Sequence, residues 1–331
     1  MITQKDIATK LGVSVALVSR ALSGKAEAIG ISASTVRRIR DVAQRLRYVP
    51  NASARMLRGA PSRTLGVVVS DFADPFFGAF LDELHRLAHA TGHSLVLVGI
   101  ENRRVELRDV QPLLKHGVGG IILLGSGSAA RNFQSFAACR LPVVRLGHGA
   151  LGDATLTVQV DERRGVATLL NHLAQTRRTR VGFLGGDHPA QHERFEHFRT
   201  ALTATGLQSK PTWQVFSTET LMQSGYAAAR QLLAQSRHDL PAALVAGNDV
   251  VALGALRALT EAGLKVPDDI ALSGFDDIPL AHLVTPALTT MRQPIQHMAK
   301  LAFDVATQHT APAIATAQIV CRPSLVVRES A

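Results

Sequence analysis

Apolar residues recur at helical spacing near the start of the chain, and further on they gather into short runs set between helical stretches. Residues 3–11 put Ile7, Ala8 and Leu11 on one face, with Thr3 placed to cap and Gly12 to stop, which predicts a first helix. Gly12-Val13 makes a turn, Ser14 caps a second helix over Val15–Leu22, and Leu17, Val18, Ala21 and Leu22 give that helix an apolar stripe. Ser23–Ile31 reads as a loop, after which Ser32 caps a third helix, roughly Ala33 to Arg47, carried by Val36, Ile39, Val42, Ala43 and Leu46. From Leu65 the period changes. Strand-length runs at Leu65–Ser70, Ser94–Gly99, Gly120–Gly125 and Pro142–Leu146 alternate with helical stretches at Phe76–Thr91, Arg103–His116 and Ala129–Cys139. A second series runs strand Arg180–Gly185, helix Gln191–Thr205, strand Trp213–Phe216, helix Met222–Gln235, strand Ala243–Ala246, helix Asp249–Ala262 and strand Ile270–Gly274. A helix over Ile295–Gln308 and strands over Ala317–Val320 and Leu325–Arg328 complete it. Strands spaced by helices predict parallel sheets wound by right-handed crossovers, and two series predict two lobes.

Charge separates the head from the rest. Residues 1–63 hold 12 Lys+Arg and 3 Asp+Glu, or +9 of the chain's formal +10. On the third helix Arg37, Arg38, Arg40, Arg45 and Arg47 face a single acid, Asp41. Such a one-signed surface repels itself unless phosphates neutralise it. Two short helices about a glycine turn, on a basic module, form the helix-turn-helix pattern, whose second helix lies in the major groove. Ser14, Val15, Ala16, Ser19 and Arg20 are then the candidates to face DNA; whether Arg20 bonds a base edge or a phosphate is not set by spacing.

Other classes lack their residues. The longest apolar runs are strand-length, short of the roughly 18–20 residues of a membrane span, so no membrane partner is expected. The start, Met1-Ile2-Thr3-Gln4-Lys5-Asp6, has no long apolar signal core, and a cytoplasmic location is expected. Cys139 and Cys321 have no CxxC spacing and read as buried free thiols. The histidines are scattered, Ser126-Gly127-Ser128 lacks a nucleophile-elbow context, and no HExxH, P-loop or clustered acid pair is present. No reaction, cofactor or metal is therefore expected.

The strand ends carry the remaining chemistry. After the first strand come Ser70, Asp71, Asp74, Pro75, Phe76 and Phe77; after later ones come Gly186-Asp187, Gly247-Asn248-Asp249 and Gly274-Phe275-Asp276-Asp277. Ligands of wound parallel sheets sit beyond the carboxyl ends of the strands, which in a two-lobed body is the cleft between lobes. Carboxylates and amides there suit a polyol or heterocycle, with Phe76 or Phe77 stacking on an apolar face. Taken singly, each Asp or Asn is equally placed to cap the next helix.

The run Tyr48-Val49-Pro50-Asn51-Ala52-Ser53-Ala54-Arg55-Met56-Leu57, with Asp6-Ile7-Ala8, Gly12-Val13-Ser14, Val18-Ser19-Arg20 and Leu22, resembles the head of the lac repressor (LacI/GalR) family of transcription regulators. Similarity continues through Asn248-Asp249-Val250-Val251-Ala252-Leu253-Gly254, Gly274-Phe275-Asp276-Asp277-Ile278-Pro279 and Thr285-Pro286-Ala287-Leu288-Thr289-Thr290. The resemblance implies an α/β fold: an all-α helix-turn-helix head (1–48), a hinge helix and linker (49–63), and a two-lobed periplasmic-binding-protein-like body of parallel sheets (64–331). Lobe 1 is expected at about 64–160 and 291–314, and lobe 2 at about 161–290 and 315–331. It further implies a homodimer on a pseudo-palindromic double-stranded DNA operator, controlled by a small-molecule effector, with sugars or their acids the commonest effectors. For the hinge it implies that Asn51 caps, Ala54 meets its dimer mate, Leu57 wedges into the minor groove, and Arg55 and Arg58 lie near phosphates. Asn248, Asp276 and Arg194 are the implied effector contacts, beside an aromatic wall of Phe76 and Phe77 and the strand-end Asp71.

The chain departs from the family at four places, one of them Gln175-Thr176-Arg177-Arg178-Thr179-Arg180, which replaces the family's Gly-His before the fifth strand. Gly147, in Leu146-Gly147-His148-Gly149, stands where sugar- and purine-responsive members often carry aspartate; His148 either supplies a bond to ligand or is a solvated loop histidine. The Ser23–Ile31 loop is long, and Leu17 replaces a small polar residue. The same body architecture also serves exported solute-binding proteins of transporters, an alternative that leaves the basic head without a role.

Overall fold

The computed structural model describes residues 2–23, 30–48, 61–100, 107–125, 141–147, 155–236, 239–308 and 318–331. The chain divides into two compact units, Met1–Ala60 and Pro61–Ala331.

In the first unit three helices form where their caps dictate: α1 (Gln4–Leu11), α2 (Val15–Leu22) and α3 (Ala33–Arg45). The Thr3 hydroxyl accepts from the Asp6 N–H while the Asp6 carboxylate accepts from the Thr3 N–H, and Gly12, at φ 64°, closes α1 in the left-handed region. Ser14 caps α2 through the Leu17 N–H and Ser32 caps α3 through the Thr35 N–H. Ile7, Ala8, Val18, Ala21, Val36, Ile39, Val42 and Ala43 form one core between them. Arg38 donates to the Leu11 carbonyl (3.1 Å), tying α3 to the end of α1. The third helix stops at Arg45, two residues before the expected end, because Arg47 turns into the left-handed region at φ 53°.

In the second unit, the first series is β1 (Thr64–Val69), α4 (Pro75–Thr91), β2 (Ser94–Gly99), α5 (Leu107–Lys115), β3 (Gly120–Leu124), β4 (Val143–Leu146), β5 (Thr155–Val160) and α6 (Glu162–Gln175). The second is β6 (Val181–Gly186), α7 (Pro189–Thr205), β7 (Gln214–Ser217), α8 (Leu221–Ser236), β8 (Ala243–Ala246), α9 (Asp249–Glu261), β9 (Ala271–Asp276), β10 (Thr289–Arg292), α10 (Ile295–Ala306), β11 (Gln318–Cys321) and β12 (Ser324–Val326). One sheet has the order β11-β5-β4-β3-β1-β2 and is parallel throughout; the other has the order β12-β10-β9-β8-β6-β7, with only β12 antiparallel. Helices on both faces bury β3, β4, β6, β8 and β9 completely, which is why β3, β6 and β8 read as apolar runs, while β4 and β9 carry the buried polar residues Arg145, Ser273 and Asp276 among apolar ones. This is the expected α/β architecture.

Three elements escaped the apolar pattern. β5 alternates Thr and Gln with Leu and Val although Thr157 is buried, and β10 opens on two threonines, Thr289 and Thr290, that are both buried. In α6 an interior glycine, Gly165, lowers helix propensity, yet a Cβ there would meet the Phe275 ring at 3.0 Å, so the close approach selects glycine. The expected helix at Ala129–Cys139 and the first residues of the one at Arg103–His116 lie outside the described residues. The lobe boundaries need correction. β11 pairs with β5, Gln318 opposite Thr157, so 318–321 belongs to the first sheet rather than to lobe 2, and Met291 and Arg292 belong to the second. The Asp161 N–H donating to the Cys321 carbonyl (2.9 Å) extends that pairing. The chain passes between sheets after β5, after β10 and between β11 and β12.

Cys321 is a buried free thiol, and Cys139 is outside the described residues. Among the described residues no helix is long and apolar enough to cross a membrane, and no group of side chains has metal-site geometry.

Candidate functional site

The carboxyl ends of the two sheets face each other across a cavity of about 230 Å³. The first sheet supplies Asp71, Asp74, Phe76 and Phe77, with the Gly125 and Gly147 backbone; the second supplies His188, Gln191, Arg194, Asn248 and Asp276. Glu162 and Gln293, on segments that pass between the lobes, complete the wall.

Capping and cavity lining prove to be compatible duties. Asp71 accepts from the Ala73 N–H (2.8 Å), and Asp74 caps α4 through the Phe76 N–H (2.9 Å). Burial raises the Asp74 pKa above the usual carboxylate value. Asn248 caps α9, its Oδ1 accepting from the Val251 N–H (3.0 Å), while its amide NH₂ remains as donor to the cavity it lines. Phe76 and Phe77 meet edge to face with centroids 5.4 Å apart. Phe77 is buried in the core, so Phe76, half-buried and touching the apolar clusters of both lobes, is the more available ring.

Arg194 lies on α7 at the base of the cavity. Its Nε and Nη2 donate to Glu162 Oε2 (3.1 Å) and Oε1 (2.5 Å), its Nη1 donates to the Gly247 carbonyl, and its guanidinium lies 3.8 Å from the centre of the Phe275 ring. Burial alone would lower its pKa; Glu162 and Asp276 outweigh burial and hold it above the ordinary value. Asp276 accepts from Gln293 Nε2 (2.6 Å). Burial drives its pKa well above the usual value, against the pull of Arg194 and with a further push from Asp249 and Asp74. His188 caps α7 through Nδ1, and burial followed by Arg194 lowers its pKa, which favours the neutral ring.

Backbone strain is concentrated at the same place. Asp276 (φ 120°) and Asp277 (φ 57°) are consecutive non-glycine residues in the left-handed region, held by the bonds around them. The Asp277 carboxylate accepts from Arg292 (2.5 Å) and Arg328 (2.6 Å). Asp249 does not line the cavity; it is buried behind it, accepting from the Ile278 N–H (2.9 Å) and the Thr290 hydroxyl (2.5 Å), and burial pushes its pKa up to about 6.

The structure thus brings Asp71, Phe76, Phe77, Arg194, Asn248 and Asp276 to one cavity; His148 lies outside the described residues. Sequence reasoning missed Glu162, His188, Gln191 and Gln293. A signal for Gln191 existed in the strand-end glycines: its Oε1 accepts from the Gly186 N–H (2.6 Å), and a Cβ on Gly247 would meet the same oxygen at 2.4 Å.

On the head, Val15, Ala16 and Arg20 are exposed and Ser19 is half-buried, while Leu17 packs partly against the three-helix core. Ser14 points its hydroxyl at the start of α2. Arg37, Arg40 and Arg45 are exposed and make no ion pair among the described residues. Asn51, Ala54, Arg55, Leu57 and Arg58 lie outside the described residues.

Comparison with known proteins agrees with both units. Residues 3–51 match the family model "Bacterial regulatory proteins, lacI family", and residues 170–331 match "Periplasmic binding protein-like domain". The chain is 32% identical over 337 residues to the HTH-type transcriptional regulator GalR of Escherichia coli (strain K12), covering 100% of this chain and 96% of that one. It is 30% identical over 340 residues to the ribose operon repressor of the same organism, covering 100% of both. Among solved structures, the lac repressor dimer bound to operator and the anti-inducer ONPF superposes with a TM-score of 0.85 at 25% identity, covering 99% of this chain and 98% of that one. A helix-turn-helix head on a periplasmic-binding-protein-like body defines a DNA-binding regulator of transcription. The chain belongs to the lacI family of bacterial regulatory proteins.

Proposed function

We propose that this protein is a cytoplasmic repressor that binds a pseudo-palindromic operator as a homodimer and is switched by a small polyhydroxy effector held in the cleft between its lobes. The observation that carries the reading is the convergence of Asp71, Arg194, Asn248, Asp276 and the Phe76 ring on one cavity of about 230 Å³, in a chain whose head carries nearly all the net positive charge. Hydroxyls both donate and accept, which suits a wall that mixes carboxylates with guanidinium and amide donors, and a carbohydrate's apolar face suits Phe76. A relative that is a ribose operon repressor, and a solved relative bound to operator as a dimer, support repression and dimerisation.

In this reading residues 1–48 form the DNA-binding domain, 49–63 the hinge and linker, and 64–331 the effector-binding and dimerisation domain. Ser14, Val15, Ala16, Ser19 and Arg20 present the recognition face to the major groove, two heads meeting half-sites about one turn apart or a multiple of it. The hinge run with Asn51, Ala54, Arg55, Leu57 and Arg58 is short for an isolated helix, so its helicity depends on partner and DNA. Leu57 wedged between base steps bends the duplex, which adds specificity at bases never contacted. The effector acts through unequal affinity for two lobe arrangements joined by three chain passages, of which one orders the hinge pair.

The test is selection of operator sequences with the full-length protein, followed by gel shift with bend phasing. Leu57→Ser is expected to weaken operator binding and reduce the bend while ligand affinity is unchanged. Asp276→Ala is expected to blunt the ligand response without altering operator affinity. A purified protein that prefers no palindromic duplex over random duplex at moderate salt, with sugars present or absent, refutes the proposal.

A further inference from the structure

The Arg194–Glu162 pair fixes the charge of the cleft. Both side chains are almost fully enclosed, at 5% and 3% exposure, and two guanidinium donors meet the two carboxylate oxygens. With Nη1 also given to the Gly247 carbonyl, Arg194 keeps one N–H on each terminal nitrogen for the cavity, but its charge is cancelled. Among the described residues the other ionisable groups on the wall are Asp71, Asp74, Asp187, Glu219 and Asp276 against His188, so these leave no net positive charge to receive an anion. An entering carboxylate or phosphate would be desolvated among like charges, whereas a hydroxyl gives up only hydrogen bonds that the wall replaces.

We propose that Glu162 sets the charge selectivity of the cleft: by neutralising Arg194 it makes the guanidinium a hydrogen-bond donor without net charge, so that uncharged polyhydroxy ligands are admitted and their carboxylate and phosphate counterparts are rejected. This rests on the cleft being the effector site, and Glu162 acts as a positioning residue through Arg194.

The test uses the full chain at pH 8 with Glu162→Gln, which keeps the shape and removes the charge, and with Glu162→Gln/Arg194→Met, which removes both charges. Matched pairs, D-galactose with D-galacturonate and D-ribose with D-ribose 5-phosphate, are titrated by calorimetry. Inorganic phosphate is followed by thermal shift, read as the difference from wild type because the basic head responds equally in each protein. The expected result is that Glu162→Gln lowers the neutral-over-anion affinity ratio at least tenfold and shows a larger thermal shift from phosphate than wild type, while the double variant responds to phosphate as wild type does. Equal responses of wild type and Glu162→Gln overturn the proposal. If Glu162→Gln leaves a buried cation that prevents folding, the double variant decides: a phosphate response lost from wild type on removing both charges shows that Arg194 was already open to anions, and overturns it. A phosphate gain in Glu162→Gln, with no sugar of either charge binding wild type, supports charge selectivity and counts instead against the polyhydroxy effector.

Discussion

Asp249→Asn is expected to change the pH dependence of stability in a defined window. Asp249 starts α9, is fully buried, and joins three segments by accepting from the Ile278 N–H and the Thr290 hydroxyl. Burial raises its pKa from 3.8 to about 6, so between those values the folded chain binds a proton that the unfolded chain has released. Stability from this group is therefore fully present below about pH 4 and is lost as pH rises through about 6. A shift of roughly two units corresponds to a swing of about 3 kcal/mol. Asparagine cannot ionise; its oxygen can accept from Ile278, and its NH₂ can donate to Thr290, whose hydroxyl also accepts. With one imperfect replacement costing about 1 kcal/mol, the variant should be less stable by that amount where Asp249 is fully protonated, about equal to wild type near pH 4.5, where wild type has already lost about 1 kcal/mol, and up to about 2 kcal/mol more stable near pH 7.5. Urea unfolding followed by Trp213 fluorescence measures this directly, since Trp213 is the sole tryptophan and lies in the same apolar cluster as Val250 and Ile278. Asp74 is raised in the same direction but is present in both proteins and cancels in the difference, whereas Asp276 is relieved in the variant of the push that Asp249 gives it, which adds to the gain at the upper end of the range. A stability difference that stays constant from pH 4.5 to 7.5 would refute the reasoning.

Two further perturbations address packing and DNA contact. In α8, a Cβ on Gly225 would meet the Val251 carbonyl oxygen of α9 at 1.9 Å, so Gly225→Ala should destabilise the body by about 1–3 kcal/mol despite alanine's better helix propensity; a variant as stable as wild type in urea would show that the two helices separate freely. Replacing Arg37, Arg40 and Arg45 together by Gln should reduce the magnitude of the slope of log K against log salt for operator binding by about 0.9 per lost phosphate contact, and an unchanged slope would place that face away from the duplex.

Much of the architecture was legible because its signals are local. Caps at Thr3, Ser14 and Ser32 fixed the starts of the three head helices, and strands buried on both faces announced themselves as apolar runs. β5 and α6 were not legible, since the first carries a buried threonine and the second a glycine chosen by contact with Phe275. The cavity was half legible for the same reason. A strand-end residue announces that it points toward the cleft, but whether it caps or binds cannot be told from spacing, and Asn248 is placed for both. Glu162 was invisible because its meaning comes from Arg194, 32 residues later on another helix. Arg194 itself was found through the family resemblance, not through any property of its neighbours.

The outermost strands β11 and β12 are made after every other strand of the sheets they complete. A nascent chain emerging from the ribosome therefore presents β5 and β10 with one side bare, and neither half can close until residues 318–326 leave the exit tunnel. Until then both rims offer unpaired peptide groups to other chains. Synthesis that stalls before residues 318–326 have emerged should yield a protein that coaggregates or is captured by chaperones, rather than a regulator lacking only two short strands.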